Sequence, residues 1–464
     1  MVLREECVKN KLMQLGYKVN EDAQKIIKQC NAWYKGEVIE EFHKRKNING
    51  QPYELSSLRL GKRCCSDDAN LCEVVEINAG ANSAKNDEVN RIIQESQFDT
   101  QYRRQLEQVP AVGTAAAYIR LEDAGLMSDG TVQNGRIVIN YVDADGYIPL
   151  TVTNNVVTEA AFSGSSLSGG KNHTTLVVFT KNGANYQAQT FGFNEYGAEI
   201  KSEGSILTLG EVCPFAVMRN AEVNNIDNME GYGLPKLYNA IPILMGLDLA
   251  YNVLFSDLSK AEKLLFINEL LCEFDDNGKV IRTPEQKKLF VMLSERLPDQ
   301  KEIIYEYNPV VRINEMTETI KLLLSLLSMM FGYGTKKYDF ESGQITTATE
   351  YIGERQDQMQ ELNRQRKESA QYIRDICRAV MWFSNNFNGS SYDIDAEIMI
   401  DFDDSYIVDR EAELERKRND ALTFDIPVLK LWYMMDAYNL SEDEAKKYIS
   451  EGAAEEEAQE PEED

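Results

Sequence analysis

The residues best typed and spaced for chemistry lie at 329–350, "MMFGYGTKKYDFESGQITTATE", directly after the apolar run "IKLLLSLLSMMF". An apolar run feeding Gly332, Gly334, Thr335, Lys336 and Lys337 has the ingredients of a phosphate-cradling loop: glycines for close backbone approach, a hydroxyl for magnesium, an ammonium for phosphate. The spacing argues against one. A phosphate loop needs lysine directly after its second glycine and a hydroxyl next. Here Gly334 is followed by Thr335 and only then by Lys336, Gly332 stands two residues earlier, and the preceding run reads as helix.

The other chemically able groups are sparse. "DFDDSY" offers Asp401, Asp403 and Asp404 to a divalent cation. Strand alternation puts Asp401 and Asp403 on one face but does not supply the carboxylates from other elements that a two-metal nuclease needs. "RCCSDDANLC" clusters Cys64, Cys65 and Cys72 without the paired C-x2-C spacing or nearby histidine of a zinc site, so ordinary packing is the expectation. His43 and His173 stand in unrelated contexts, leaving little material for acid–base or nucleophilic catalysis. No metal, cofactor or enzymatic activity is expected.

Composition bounds the class. At 464 residues, with 43% hydrophobic content, the chain exceeds what one core usually organises. The longest apolar run, Leu322 to Phe331, is broken by serines and falls short of a membrane span. The start "MVLREECVKNKLMQLGYKV" reads as unexported, and eight scattered cysteines read as free thiols. With 49 basic against 76 acidic residues the formal charge is -27. That balance argues against a tight, nonspecific grip on DNA, which requires phosphates to be neutralised by Lys and Arg.

The elements that must position these groups follow from periodicity. Residues 20–48 carry Ile26, Ile27, Trp33, Tyr34, Val38 and Phe42 near helical spacing, interrupted at Gly36. From about 110 to 220 the period becomes two, with Asn182-Gly183 supplying a tight hairpin turn and "SGSSLSGG" at 163–170 reading as a flexible loop. Helix returns after Pro235. Residues 264–312 read as an insert: strand "LLFI", acidic turn "DDNG", helix "TPEQKKLFVML" capped by Thr283, strand "EIIYEY". A second helix from about 313 leads to the glycine loop. The longest helix follows, about Thr346 to Phe383, with Ile352, Met359, Leu362, Ala370, Ile373, Ile376 and Val380 mostly three or four apart. A helix of nearly 60 Å needs an elongated partner, such as a neighbouring subunit. A strand, "AEIMIDFDDSYIVD", helices at "REAELERKRNDAL" and "SEDEAKKYISEG" and an acidic tail, "EEEAQEPEED", complete the chain.

This order of elements, with "CPFAVMRNAEVNNIDNMEGYGLPKLYNAIPILMGLDLAYNVLFSDLSKAEKLLFI" as its strongest segment, resembles the portal proteins of tailed bacteriophages, in the family typical of Gram-positive siphophages and prophages. In that segment Pro-Phe and an Asn-Asn pair precede a glycine turn and a helix with Asp248 and Tyr251. Weaker echoes are "NAWYKG", "VGTAAAYIRLE", "ITTATEYIGERQDQM" and "IDFDDSYIVDREAELERKRND".

The resemblance implies an α+β, elongated, multi-domain subunit in a ring of about twelve copies around a central channel at one capsid vertex. It divides the chain into N-terminal helices and β-rich wing (1–235), stem helix (236–263), α/β clip (264–312), second stem helix (313–332), tunnel loop (333–345), long wing helix (346–385), C-terminal strand and crown helices (386–450) and disordered acidic tail (451–464). Gly332, Gly334, Thr335, Lys336, Lys337, Tyr338, Asp339 and Phe340 would face the channel, with the glycines giving conformational freedom. Asp275, Asp276, Lys287, Lys288, Glu295 and Arg296 in the clip would dock partners. Those implied are the terminase large subunit, then the head-tail connector or adaptor, with scaffold and major capsid protein during assembly in the host bacterial cytoplasm. Double-stranded DNA would pass without tight binding, repelled by an acidic ring, and no membrane is involved. Two other readings compete: a cytoplasmic scaffold or adaptor using the long helix as a partner-binding arm, and a magnesium nuclease built on Asp401, Asp403 and Asp404.

Overall fold

The computed structural model describes residues 2–79, 83–122, 125–126, 132–133, 135–200, 207–261, 264–268, 276, 290–293, 304–308, 310–335, 337–338, 348–402, 410–424, 426–438, 440 and 445–449. The chain is 49% helical and 24% strand, a mixed α and β protein. Its helices are α1 (Val2–Gln14), α2 (Glu21–Lys35), α3 (Glu40–His43), α4 (Leu60–Ala69), α5 (Ser83–Glu95), α6 (Phe98–Val112), α7 (Lys236–Ser259), α8 (Ile313–Met330), α9 (Ala348–Phe387), α10 (Arg410–Phe424) and α11 (Pro427–Tyr438). Residue contacts divide the chain into two compact units, Met1–Cys72 with Ile77–Ile400, and Glu73–Glu76 with Asp401–Asp464.

Local chemistry sets the boundaries. The Asn20 side chain accepts the Ala23 N–H to start α2, Glu21 and Asp22 sit at its positive end, and Gly36 ends it at φ 66°, returning its N–H to Ala32 and Trp33 carbonyls. In the first unit a six-stranded antiparallel sheet runs Glu199–Ile200, Asn185–Phe193, Lys171–Asn182, Val156–Ser168, Tyr147–Thr153, with Leu207–Thr208 added beside Asn185–Phe193. Helix α1 lies on it through Val8 and Leu12, which pack against Ile148, Leu176, Val178, Phe191 and Phe193. A three-stranded sheet, Phe215–Arg219, Thr114–Glu122, Arg136–Asp143, backs onto α9. Tyr118, Phe162, Phe179 and Phe215 join the two sheets through ring contacts of 5.0 to 5.8 Å. Helices α2, α4, α6 and α7 pack together beside them, and α8 pairs with α7. In the second unit α10 packs on α11, with an ion pair between Lys417 and Asp436.

Several elements differ from the sequence reading. "SGSSLS" is strand, paired in register with Lys171–Leu176, and only Gly169 and Gly170 turn, at φ 57° and 77°. Cross-strand pairing there overrides a loop-like composition. The end of the expected helix at 283–293 is instead the strand Phe290–Leu293, parallel to Leu264–Asn268, which pairs antiparallel with Ile304–Tyr307. An aromatic and β-branched run gains more from a sheet partner than from helix propensity. The Gly36 interruption is a full stop: α3 lasts one turn, and Lys44–Lys46 pairs with Pro52–Glu54. The 40 residues of α9 find much of their partner inside the chain, since Leu362, Ala370, Ile373, Ile376 and Val380 are all buried. Helix α11 is not among the expected elements, although Pro427 stands at its first position as Pro284 does in the helix expected at 283–293.

Candidate functional site

Where α8 ends, the chain turns on the glycines that the sequence singled out. Gly332 and Gly334 lie at φ 77° and 71°, a left-handed backbone that glycine adopts without strain. Between them Tyr333 is buried, and its hydroxyl donates to Asp68 Oδ1 at 2.8 Å. Tyr338 donates likewise to Asp67 Oδ2 at 3.2 Å, and Arg63 holds Asp67 at 3.0 Å. Ser325 Oγ donates to the Thr335 carbonyl at 2.7 Å, tying the turn back onto α8. The Lys337 ammonium lies 5.7 Å over the Tyr333 ring. Lys336, Asp339 and Phe340 lie outside the described residues.

Beneath this turn sits a buried ionic cluster that the sequence reading missed. Lys236, the first residue of α7 and only 1% exposed, places Nζ 3.0 Å from Asp68 Oδ1 on α4 and 2.9 Å from Glu361 Oε1 on α9. Burial alone pushes its ammonium down, but Asp68 and then Glu361 outweigh this and hold it above the usual lysine range. Burial, reinforced by Asp68, keeps the Tyr333 phenol protonated well above its ordinary range, so it remains a donor. A Cβ built on Gly332 would come within 3.2 Å of Glu361 Cγ, so the turn's backbone lies directly on that side chain. The available signals were "SDD", read only for its cysteine neighbours, and a lysine directly after Pro235 at the head of an apolar helix.

The segment with the strongest resemblance builds the entry to α7. Gly113, at φ 84°, and Gly233 meet so closely that a Cβ on either would come within 2.2 Å of the other's carbonyl oxygen. Asn220 Nδ2 donates to the Leu234 carbonyl at 2.6 Å and Asn224 Nδ2 to Tyr232 at 3.1 Å, closing the glycine turn. Farther along, Asp248 accepts the Leu58 N–H at 2.7 Å and faces His43 Nε2 at 3.3 Å, while His43 Nδ1 accepts the Ile39 N–H at 2.9 Å. With Nδ1 acting as acceptor, the proton sits on Nε2 and the imidazole donates to Asp248 while neutral.

A face of α7 changes environment along its length. Leu244 and Asp248 are buried, yet Tyr251, Phe255 and Leu258, one and two heptads on, are 37%, 63% and 49% exposed. On α8, Leu322 and Met329, also seven apart, are 61% and 48% exposed, while Leu324 and Leu327 are buried. The two helices touch each other closely, since a Cβ on Gly246 would sit 3.4 Å from Leu323, so these faces are left over after the pair has formed. By length and composition α7 is apolar enough to cross a membrane, although the sequence contains no unbroken apolar run of that length.

The remaining sequence candidates do not converge. Burial pushes the Cys64 and Cys72 thiols up to about 12, which suits packing rather than nucleophilic or metal chemistry. Among the described residues no group of three His, Cys, Asp or Glu side chains could hold a metal ion. Asp401 is exposed on Ile398–Phe402, and Asp403 and Asp404 lie outside the described residues. His173 is on a sheet strand far in sequence from His43. Asp276 is an exposed turn residue, whereas Asp275, Lys287, Lys288, Glu295 and Arg296 lie outside the described residues.

These polar groups join structural elements of the fold. Residues 71–418, three-quarters of the chain, match the family "Phage portal protein, SPP1 Gp6-like", and the chain belongs to that family. Portal proteins of this kind are structural and non-enzymatic, and are part of the virion capsid. The family implies an oligomeric ring with capsid and connector association. No curated protein matches the sequence. Among solved structures, the chain is similar to one from the neck of a native GTA particle computed with C12 symmetry, at 11% identity and a TM-score of 0.37, over 77% of this chain and 83% of that one.

Proposed function

We propose that the protein forms a ring of about twelve copies at one capsid vertex, whose channel admits double-stranded DNA during packaging and releases it at ejection. The observation that carries this reading is the leftover apolar surface on α7 and α8. Phe255, Leu258 and Leu322 are 63%, 49% and 61% exposed, so covering what remains of each stabilises by roughly half of the ~1.5–3 kcal/mol that a whole side chain contributes, and in a ring this face of one copy meets a different face of the next. In this reading α7 and α8 are the stem, 264–312 the clip that meets the terminase large subunit and later the head-tail connector, and 333–345 the tunnel loop. The long helix and the C-terminal segments form inner wing and crown. Scaffold and major capsid protein surround the ring, which assembles in the host cytoplasm, with no membrane involved.

The net charge fits a conduit better than a clamp. A -27 subunit repeated around a ring repels a duplex in sum, while counter-ions confine that field to about 10 Å, so DNA slides without adhering. The assembly surface is tested by Phe255→Glu with Leu258→Glu in the full chain. The double variant is expected to keep its circular dichroism and sediment as a monomer; a variant that still assembles like the wild type removes the stem assignment.

A further inference from the structure

We propose that Tyr333, Asp68 and Lys236 are positioning residues for the glycine loop, fixing its root against α4 and α9 so that the chain leaves α8 in one direction. The proposal rests on the reading of this segment as the tunnel loop, but its test is independent of DNA.

Three features set the cluster apart from ordinary packing. First, a lysine at the head of a helix faces the positive end of the backbone dipole and is buried besides, so its two carboxylate partners offset a cost that an apolar residue would not incur. A buried ion pair of this kind contributes little net stability over an apolar replacement, and its best-attested use is to fix one arrangement among several. Second, the partners come from elements distant in sequence, with Asp68 168 residues before Lys236, so the cluster forms only when α4, α7 and α9 are in register. Third, the loop enters this cluster twice. The Tyr333 hydroxyl shares Asp68 Oδ1 with Lys236, and the Gly332 backbone lies on the Glu361 side chain. Phe331 stacks on Tyr333 at 6.2 Å and Tyr338 meets it edge-on at 6.4 Å, so the ring is held by neighbours while the hydroxyl sets its bearing.

Removing that hydroxyl separates loop positioning from the fold. In full-length Tyr333→Phe the ring contacts and the ion cluster remain, and only the bond to Asp68 is lost. Hydrogen exchange at Gly332–Thr335 is expected to rise about tenfold, as local opening loses a hydrogen bond to a charged acceptor. Tryptic cleavage after Lys337 should quicken in parallel. Exchange elsewhere and oligomeric state should not change. Tyr102→Phe removes an equally buried hydroxyl, bonded to the Cys72 carbonyl at 3.1 Å, and should leave the loop's exchange at its wild-type rate. Exchange at Gly332–Thr335 that stays within about twofold of wild type in Tyr333→Phe, or that rises equally in Tyr102→Phe, overturns the proposal. A Tyr333→Phe ring with a freed loop root that packages DNA normally keeps the positioning role and removes the tunnel-loop reading instead.

Discussion

At the middle of α7, Asp248 gathers the neutral imidazole of His43 and the backbone N–H of Leu58, whereas at its first residue Lys236 stands between Asp68 and Glu361. The first site places one carboxylate among neutral donors, all from residues 39–58. It fastens a local stretch of chain onto the helix, assisted by Asn252, which exchanges hydrogen bonds with the Ser56 backbone at 2.9 and 2.7 Å. The second buries opposite charges drawn from three helices and adds a phenol from the glycine turn. One helix thus carries a latch whose loss is felt nearby and a junction whose loss is felt wherever its partners lead.

The comparison breaks most visibly at the junction. Lys236→Met leaves Asp68 buried without a counter-charge and Glu361 with only Arg364, 3.6 Å away, and should cost about 3–5 kcal/mol, seen as a large fall in the denaturation midpoint. Replacing Asp68 and Glu361 by leucine in the same chain should restore most of that loss, since the apolar trio has no charge to desolvate. Asp248→Ala should cost less, about 2–3 kcal/mol, because it orphans two buried donors rather than two charges. Its increased hydrogen exchange should be confined to residues 39–58, whereas that of Lys236→Met should reach α4, α9 and the turn after α8.

The smallest effect sharpens the electrostatics of the junction. Burial, joined by Glu361 and Asp68 against the pull of Lys236, raises the carboxyl of Glu222 above its ordinary value of 4.5. The folded chain therefore holds this proton more tightly than the unfolded chain, and the wild type gains stability from the group as pH falls through the raised value. Glu222→Gln should accordingly be slightly more stable than wild type at neutral pH. Thermal unfolding across a pH series should show that advantage shrinking in acid, until it is gone below the unfolded value.

Much of the scaffold was legible because its signals are local. Gly36 marked the break in a helix, the hairpin expected at Asn182-Gly183 turns one residue later on Gly183 and Ala184 with Asn182 opposite Asn185, and the apolar spacing of α9 marked Leu362, Ala370, Ile373, Ile376 and Val380, which are buried in the core. The helices α7 and α8 begin where Pro235 and Arg312 precede them. What stayed hidden depends on distant partners. The serine-rich strand and Phe290–Leu293 are strands only because a neighbouring strand receives them. Asp68, Lys236 and Glu361 look like solvated charges until the fold brings them within 3 Å. The sequence reading assigns Gly332 and Gly334 the role of conformational freedom, whereas they provide fixed left-handed geometry above a buried ion cluster.

The ring is tested most directly by negative-stain images of the purified full-length protein alongside its mass in solution. The account predicts closed rings of about twelve subunits with a central hole, as expected of copies joined through a repeated head-to-tail contact. A well-defined dimer or tetramer without a channel would contradict it.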